Sequence, residues 1–287
     1  RQLAPGLEVV LLERNPVFFS CPMSNKWLVD LVDTQFITHD YLAVSEKHGY
    51  RFLQTEILEI ERERKQVITA AGRLHYDYLI VSPGIRYDYE AWFGNDRRMA
   101  EATRARFPAA YIPSAEHFHL KRALHDFRGG HLVMTLPPPP QRCPPSPYER
   151  ACLIASMFKA RKIPGRITIL DHKDGVRPIG PGFKAAFEEL YPDVITYVPN
   201  ARIEEVDPFR KHIRTEAGDF DFDHAILMAP HQAGDLAWKA GLVPAPGSGR
   251  PTGWADVDPL FMHDRADKDV YVIGDAVTVL RGGKVAG

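Results

Sequence analysis

Leu7-Glu8-Val9-Val10-Leu11-Leu12-Glu13 is a short apolar run closed by an acid. Its composition reads as a parallel strand buried on both faces. In a doubly wound α/β fold, the acid that ends the second strand follows a glycine-rich turn by about 20 residues and hydrogen-bonds the ribose of a dinucleotide. On that reading Glu13 is the ribose residue, the GxGxxG turn precedes Arg1, and Gln2 to Gly6 end the first helix. The first βα unit is then expected outside this chain. The other reading is an ordinary edge strand ending in a solvated Glu.

Downstream, Arg51 to Ile60, a run that includes Ile57, reads as a strand, followed by Lys65 to Thr69 as part of a hairpin and His75 to Val81 as a strand entering Ser82-Pro83-Gly84. Glycine at such a strand end lets backbone approach a ligand closely. Asp269 to Ile273 is another buried strand, running into Gly274-Asp275-Ala276. Between these lies a second α/β unit: a strand over His131 to Leu136, a loop from Pro137 to Pro147, a helix from Tyr148 to about Lys162 and a strand from Arg166 to Asp171. A nucleotide site needs backbone N–H groups in that loop to meet a pyrophosphate. The loop is rich in proline, which has no N–H. The unit is therefore expected to keep the nucleotide-binding shape without a nucleotide, which disfavours NAD(P)H as donor. A helix over Gly182 to Leu190, strands near Val194 to Val198, Ile203 to Val206 and His212 to Thr215, and a strand from Phe220 to Ala229 complete it. Pro113-Ser114, before a helix from Glu116 to Phe127, and Pro230 mark its boundaries.

The expected fold class is thus α/β, with two Rossmann-like dinucleotide-binding domains, the second inserted in the first. Residues 1–113 form the first part of a dinucleotide-binding domain, 114–230 the central NAD-binding-like domain without a nucleotide site, and 231–287 the rest of the first. The 287 residues suit two domains. Lys and Arg number 36 against 37 Asp and Glu, a net charge of -1 that makes nucleic acid a poor partner. No transmembrane segment is expected, because the longest apolar stretches break at Pro137 and Pro230. The three cysteines, Cys21, Cys143 and Cys152, show no zinc spacing and no CxxCH for a c-type haem, and the 12 histidines show no ligand spacing. No metal is assigned; His117 and His119 are placed on a surface helix. Arg1 begins the chain without a preceding charged-then-apolar signal, so it reads as a cut or processed start.

Four segments resemble the flavoprotein subunit of flavocytochrome c sulfide dehydrogenase, within the two-dinucleotide-domain flavoproteins that include sulfide:quinone oxidoreductases. They are Glu13-Arg14-Asn15-Pro16 with Ser20 to Asn25, Ser82-Pro83-Gly84-Ile85, Arg142-Cys143-Pro144-Pro145-Ser146-Pro147-Tyr148-Glu149-Arg150, and Val272 to Ala276. The resemblance, to a protein cut at both ends here, implies an FAD enzyme taking electrons from a small reduced sulfur compound. It implies a c-type cytochrome subunit as acceptor and a periplasmic location. The implied cofactor-binding residues are Glu13, Cys21, Ile57, Ser82, Pro83, Gly84, Gly274 and Asp275, and the implied catalytic residues Cys143 and Glu149. The cysteine matching Cys21 joins the flavin as a thioether in that family. The cysteine matching Cys143 forms a redox disulfide with one in a Trp-Cys-x-Val-Asp segment, which here is Trp254-Ala255-Asp256-Val257-Asp258. A lone thiol cannot accept attack by sulfide unless first oxidised. Cys143 is therefore expected as a thiol, sulfenic or persulfide species, with sulfide oxidation slow or redirected.

Each residue also has a plainer reading. Cys21, ahead of a turn and helix begun by Pro22 and Ser24-Asn25, is otherwise an inert buried thiol. Asp275 caps the next helix, and Glu149 sits at the favourable end of a helix dipole. Cys152 fills core. At the level of function the alternatives are a flavin-bearing electron-transfer or structural subunit without sulfide chemistry, and an NAD(P)H-linked flavin reductase.

Overall fold

The computed structural model describes residues 6–249 and 253–277; most of the expected helix end, residues 2–5, lies outside them. The described chain forms two compact units, one of 6–20, 33–84, 233–249 and 253–277, the other of 21–32 and 85–232.

In the first unit, Val10–Glu13 pairs in parallel with Arg51–Gln54, Glu13 lying opposite Gln54. Between them, the helix Tyr41–His48 begins where the Asp40 carboxylate accepts from Leu42 N at 2.7 Å and ends at Gly49, the capping chemistry that fixes helix limits. The run expected as one strand from Arg51 to Ile60 breaks at Thr55-Glu56. Arg51–Gln54 belongs to the parallel pair, whereas Ile57–Glu61 turns into an antiparallel meander with Gln66–Thr69 and Gly72–His75. The two halves belong to separate sheets, so the strand ends where the first ladder stops. Leu79–Val81 and Val270–Val272 form a second parallel pair.

The second unit holds a four-stranded parallel sheet in the order Ile195–Val198, Gly165–Asp171, Gly130–Leu136, His224–Ile226. Leu132, Val133, Met134, Leu136, Ile167, Ile169 and Leu170 are all buried. These unbroken apolar runs are the composition of strands covered on both faces. The helices Ala115–Asp126 and Ser146–Arg161 belong to this unit, the first capped by Ser114, whose hydroxyl accepts from Glu116 N at 3.4 Å. An antiparallel meander of Ile203–Asp207, His212–Thr215 and Gly218–Asp221 completes it.

The observed division differs from the sequence boundaries at 113/114 and 230/231: segments 21–32 and 85–113 cluster with the central unit. Packing explains this. Phe107 shares one core with Val133, Leu170, Ile213 and Phe222, and its carbonyl accepts from Leu227 N at 3.2 Å. Trp27 and Leu28, both buried, sit on a short helix packed against Ser146–Arg161. The strand expected over Phe220 to Ala229 is two pieces, because Gly218–Asp221 closes the antiparallel meander and His224–Ile226 joins the parallel sheet. The helix expected over Gly182 to Leu190 begins at Gly180 and passes into a π-helical turn at Ala186–Leu190. His117 is fully buried, not on the surface. Helical periodicity puts it on the inward face with Leu120 and Leu124.

Candidate functional site

Each unit carries its own group of candidate residues. In the first, Val81 lies opposite Val272 in the parallel pair, so Ser82-Pro83-Gly84 and Ile273-Gly274-Asp275 leave the same end of neighbouring strands. Ile273 N donates to Val81 O at 3.1 Å, tying the two exits together. Gly84 has φ +67° and Gly274 φ +76°, and an added Cβ at either would meet nothing within 4 Å. Both turns therefore combine a backbone conformation that favours glycine with open space beside it. Gly234, which the sequence reading missed, packs on this turn: its N–H donates to Gly84 O at 2.9 Å, and a Cβ there would fall 2.4 Å from Pro83 O. Asp275 is buried. Glu13, partly exposed, accepts on Oε1 from Asn15 N and Nδ2, both at 2.8 Å. Its Oε2 accepts no bond among the described residues. Ile57, half-buried, begins the meander. Ala255 also lies in this unit, buried, with its N–H donating to Ala276 O at 2.9 Å.

The second unit brings Cys21, Cys143 and Glu149 together. Cys21 and Cys143, far apart in sequence, line one small cavity of about 20 Å³ with Tyr111, Arg142, Ser146 and Arg150. Cys143 lies within the proline loop with φ +46°. A non-glycine residue held there costs about 1–2 kcal/mol, and such backbone concentrates at functional sites. Its carbonyl accepts from Ser146 N at 3.0 Å as the Ser146–Arg161 helix starts. Burial pushes the Cys143 thiol up, while the Ser146 N–H and hydroxyl and the Arg142 guanidinium pull it down and Glu149 opposes them. Cys152, half-buried on the same helix, is pushed up to about 11 by burial and then by Glu149. Cys143 and Cys152 are free thiols.

The wall of this cavity is held from behind by residues that the sequence reading passed over. Asn25 is buried; its Nδ2 lies 2.9 Å from Ser146 Oγ, 2.9 Å from Glu149 Oε2 and 3.1 Å from Ser146 O. Arg150, 2 % exposed, donates Nε to Asn25 Oδ1 at 2.8 Å, Nη2 to Ala110 O at 3.0 Å and Nη1 to Ala109 O. Its guanidinium also lies 4.4 Å from the Tyr111 ring centroid. Burying a charge costs several kcal/mol unless its donors are satisfied; here three acceptors and an aromatic face offset that cost. Tyr111 donates its hydroxyl to Ser146 Oγ at 3.1 Å and accepts on its carbonyl from Arg142 Nη1 at 2.7 Å.

Asp171 closes the strand Gly165–Asp171, the place of a ribose acid in a nucleotide domain. It is wholly buried. Tyr148 and Tyr197 hydroxyls donate to its Oδ2, the latter at 2.9 Å, and Lys173 N and Nζ donate to Oδ1 at 3.0 and 2.8 Å. Phe183 and Phe187 pack edge and face around the two tyrosines. The acid is thus consumed by the domain's own side chains. Among the described residues no three His, Cys, Asp or Glu side chains converge as metal ligands, and no helix is long and apolar enough to cross a membrane.

Residues 118–228 match the central region of the sulfide dehydrogenase (flavocytochrome c) flavoprotein chain family. The chain is 22% identical over 249 residues to the mitochondrial sulfide:quinone oxidoreductase of Mus musculus, a match covering 80% of this chain and 51% of that protein. Among solved structures it is similar to the sulfide:quinone oxidoreductase of Aquifex aeolicus, with TM-score 0.77, 18% identity, 97% of this chain and 64% of that one. It is also similar to NDH2 of Plasmodium falciparum in complex with NADH, with TM-score 0.70, 16% identity, 94% of this chain and 59% of that one. The chain spans about half the length of the curated relative it matches. The chain is thus similar in its central region to the sulfide dehydrogenase flavoprotein family and has the two-dinucleotide-domain α/β fold of the sulfide:quinone oxidoreductase structure.

Proposed function

We propose that the full-length protein is an FAD-dependent oxidoreductase that takes electrons from a small reduced sulfur compound and passes them singly to a c-type cytochrome subunit in the periplasm. The observation that carries this reading is the cavity shared by Cys21, Cys143, Arg142 and Arg150, where two sulfurs meet two cations. The residues of the first unit fit the cofactor. Gly84 and Gly274 leave open space at adjoining strand ends, and one oxygen of Glu13 remains available for a ribose hydroxyl. Ser82, Pro83 and Asp275 would frame the same ligand, and the family resemblance adds Ile57 as a cofactor residue and Cys21 as the thioether anchor. The flavin, when bound, supplies the exchange between two-electron and one-electron chemistry. The chain's own work is to hold the sulfur at Cys143 and to move its proton. Glu149, joined through Asn25 to Ser146, is the acid/base for that sulfur.

Anaerobic addition of a small reduced sulfur compound to the purified full-length protein is expected to bleach the flavin, slowly where that compound is sulfide itself, and cytochrome c should then be reduced. A flavin that stays oxidised under such compounds would reject the sulfur substrate. Acid precipitation is expected to retain the flavin, and Cys21→Ala to release it; acid-stable flavin in the variant would rule out the thioether.

Ala255 favours a second reading, an electron-transfer subunit without sulfide chemistry, because it stands where the resembled family has its second redox cysteine. A natural protein inert to sulfide, with bleaching gained in Ala255→Cys, would establish that reading.

A further inference from the structure

Ser146 occupies a junction that the proposed chemistry does not yet use. Its hydroxyl meets Asn25 Nδ2 at 2.9 Å and the Tyr111 hydroxyl at 3.1 Å, and its backbone N–H meets the Cys143 carbonyl at 3.0 Å. Arg150 fixes the orientation of the first partner. A guanidinium only donates, so the Asn25 atom 2.8 Å from Arg150 Nε is the carbonyl oxygen, and the amide NH₂ must face Ser146. The second partner is the Tyr111 hydroxyl, which donates to Ser146 Oγ at 3.1 Å and, with burial pushing the phenol up to about 12, carries its proton at neutral pH. A serine oxygen has two lone pairs and one proton. With Asn25 and Tyr111 donating into the lone pairs, the proton of Ser146 is available to the Cys143 sulfur, which lines the same cavity.

We propose that Ser146 is a positioning residue for Cys143: its hydroxyl, aimed by Asn25 and Tyr111, donates a hydrogen bond to the Cys143 sulfur that favours its anionic form. The assignment rests on the reading that Cys143 is the reacting sulfur. It supplies what that sulfur otherwise lacks. Burial and the Glu149 carboxylate both oppose charge at Cys143, and Arg142 with the two donors of Ser146 favour it. Cys21, Tyr111 and Arg150 complete the wall. A hydrogen bond to a charged group contributes enough to shift an anion's population by about tenfold or more. Its loss therefore pushes the thiol, already raised by burial, further up and lowers the thiolate fraction, and a thiol is a poor nucleophile.

The test is the pH profile of iodoacetamide alkylation at Cys143, followed by peptide mass spectrometry on the full-length protein so that Cys21 and Cys152 are counted apart. Ser146→Ala is expected to slow alkylation of Cys143 about tenfold at pH 7.5 and to raise its midpoint by about one pH unit. Ser146→Thr, which keeps the hydroxyl, should return the rate to within about twofold of the natural protein. Tyr111→Phe, which removes the aiming donor alone, should slow it by about two- to threefold. An unchanged midpoint in Ser146→Ala would overturn the assignment, as would a shift that Ser146→Thr fails to restore. Should Ser146→Ala not fold, the Tyr111→Phe midpoint decides in the same way. The outcome separates from the function itself: flavin bleached by sulfide together with an unmoved midpoint keeps the function and removes the role of Ser146. A moved midpoint with no bleaching does the reverse.

Discussion

Glu13 and Asp171 end topologically similar strands, and the two carboxylates have opposite fates. Glu13 is partly exposed and uses one oxygen on its neighbour Asn15. Asp171 is fully buried and takes four hydrogen bonds from Tyr148, Tyr197 and Lys173. An acid at the end of a parallel strand is a ribose ligand only while its lone pairs are open. Once tyrosines and a lysine fill them, the same position becomes a structural anchor. The second unit thus retains the outline of a nucleotide domain and spends its recognition residue on itself. Prolines close the neighbouring loop as well, since Pro144, Pro145 and Pro147 remove N–H groups where a pyrophosphate would need them.

Mutation should break this contrast most sharply at Asp171. Asp171→Ala leaves the buried Tyr148 phenol and the half-buried Tyr197 phenol and Lys173 ammonium without their acceptor, and stability is expected to fall by about 3–5 kcal/mol in urea unfolding. A loss under 1 kcal/mol would mean the acid is not an anchor.

A smaller effect comes from pH, and it belongs to the same sealed unit. Burial lowers the pKa of His117 to about 3 and that of His224 to about 4. Each is neutral when folded, whereas the unfolded chain takes up a proton below about 6.5. A group with a depressed folded pKa stabilises the fold above the unfolded pKa. That stability is lost as pH falls from 6.5 towards 3 for His117 and towards 4 for His224. Between pH 8 and pH 5 each should cost about 2 kcal/mol. His117→Gln is expected to flatten the unfolding free energy over that range, and an unchanged slope would show that the ring is hydrated.

At Glu13 the expected change is in binding. Glu13→Ala should weaken FAD rebinding by apoprotein about tenfold, equivalent to one charged hydrogen bond, and leave the unfolding midpoint unmoved. Equal losses of stability at Glu13 and Asp171 would erase the contrast. The smallest effect is at Tyr197→Phe, which removes one of the four bonds to Asp171 and should cost about 1 kcal/mol by thermal unfolding.

The sequence made the strands legible because their apolar runs are local and end in acids or glycine. What it hid is partner choice. Arg51 to Ile60 reads as one strand, and only the parallel edge offered by Val10–Glu13 on one half and the antiparallel edge of Gln66–Thr69 on the other reveal the break at Thr55. The helix through His117 shows polar residues in a row, and which of them turns inward depends on what covers it. At the site, Cys143 and Glu149 were legible through a dense local motif. Asn25 and Arg150 were not, since their bond joins residues 125 positions apart. Tyr148 looked like a helix start, and its service to Asp171 exists only once the sheet has formed.

The Arg150 guanidinium has a kinetic consequence too. It gathers Asn25, Ala109 and Ala110 across sequence separations of 125, 41 and 40 residues. Contacts so distant along the chain are slow to form, because the loops that close them must be ordered before the bonds repay that entropy. Hairpins such as Gln66–Thr69 with Gly72–His75 require only a short turn. The wall that sets Cys21 beside Cys143 is therefore among the last parts of its unit to assemble, and the two sulfurs stay apart while the rest of the chain is finding its place.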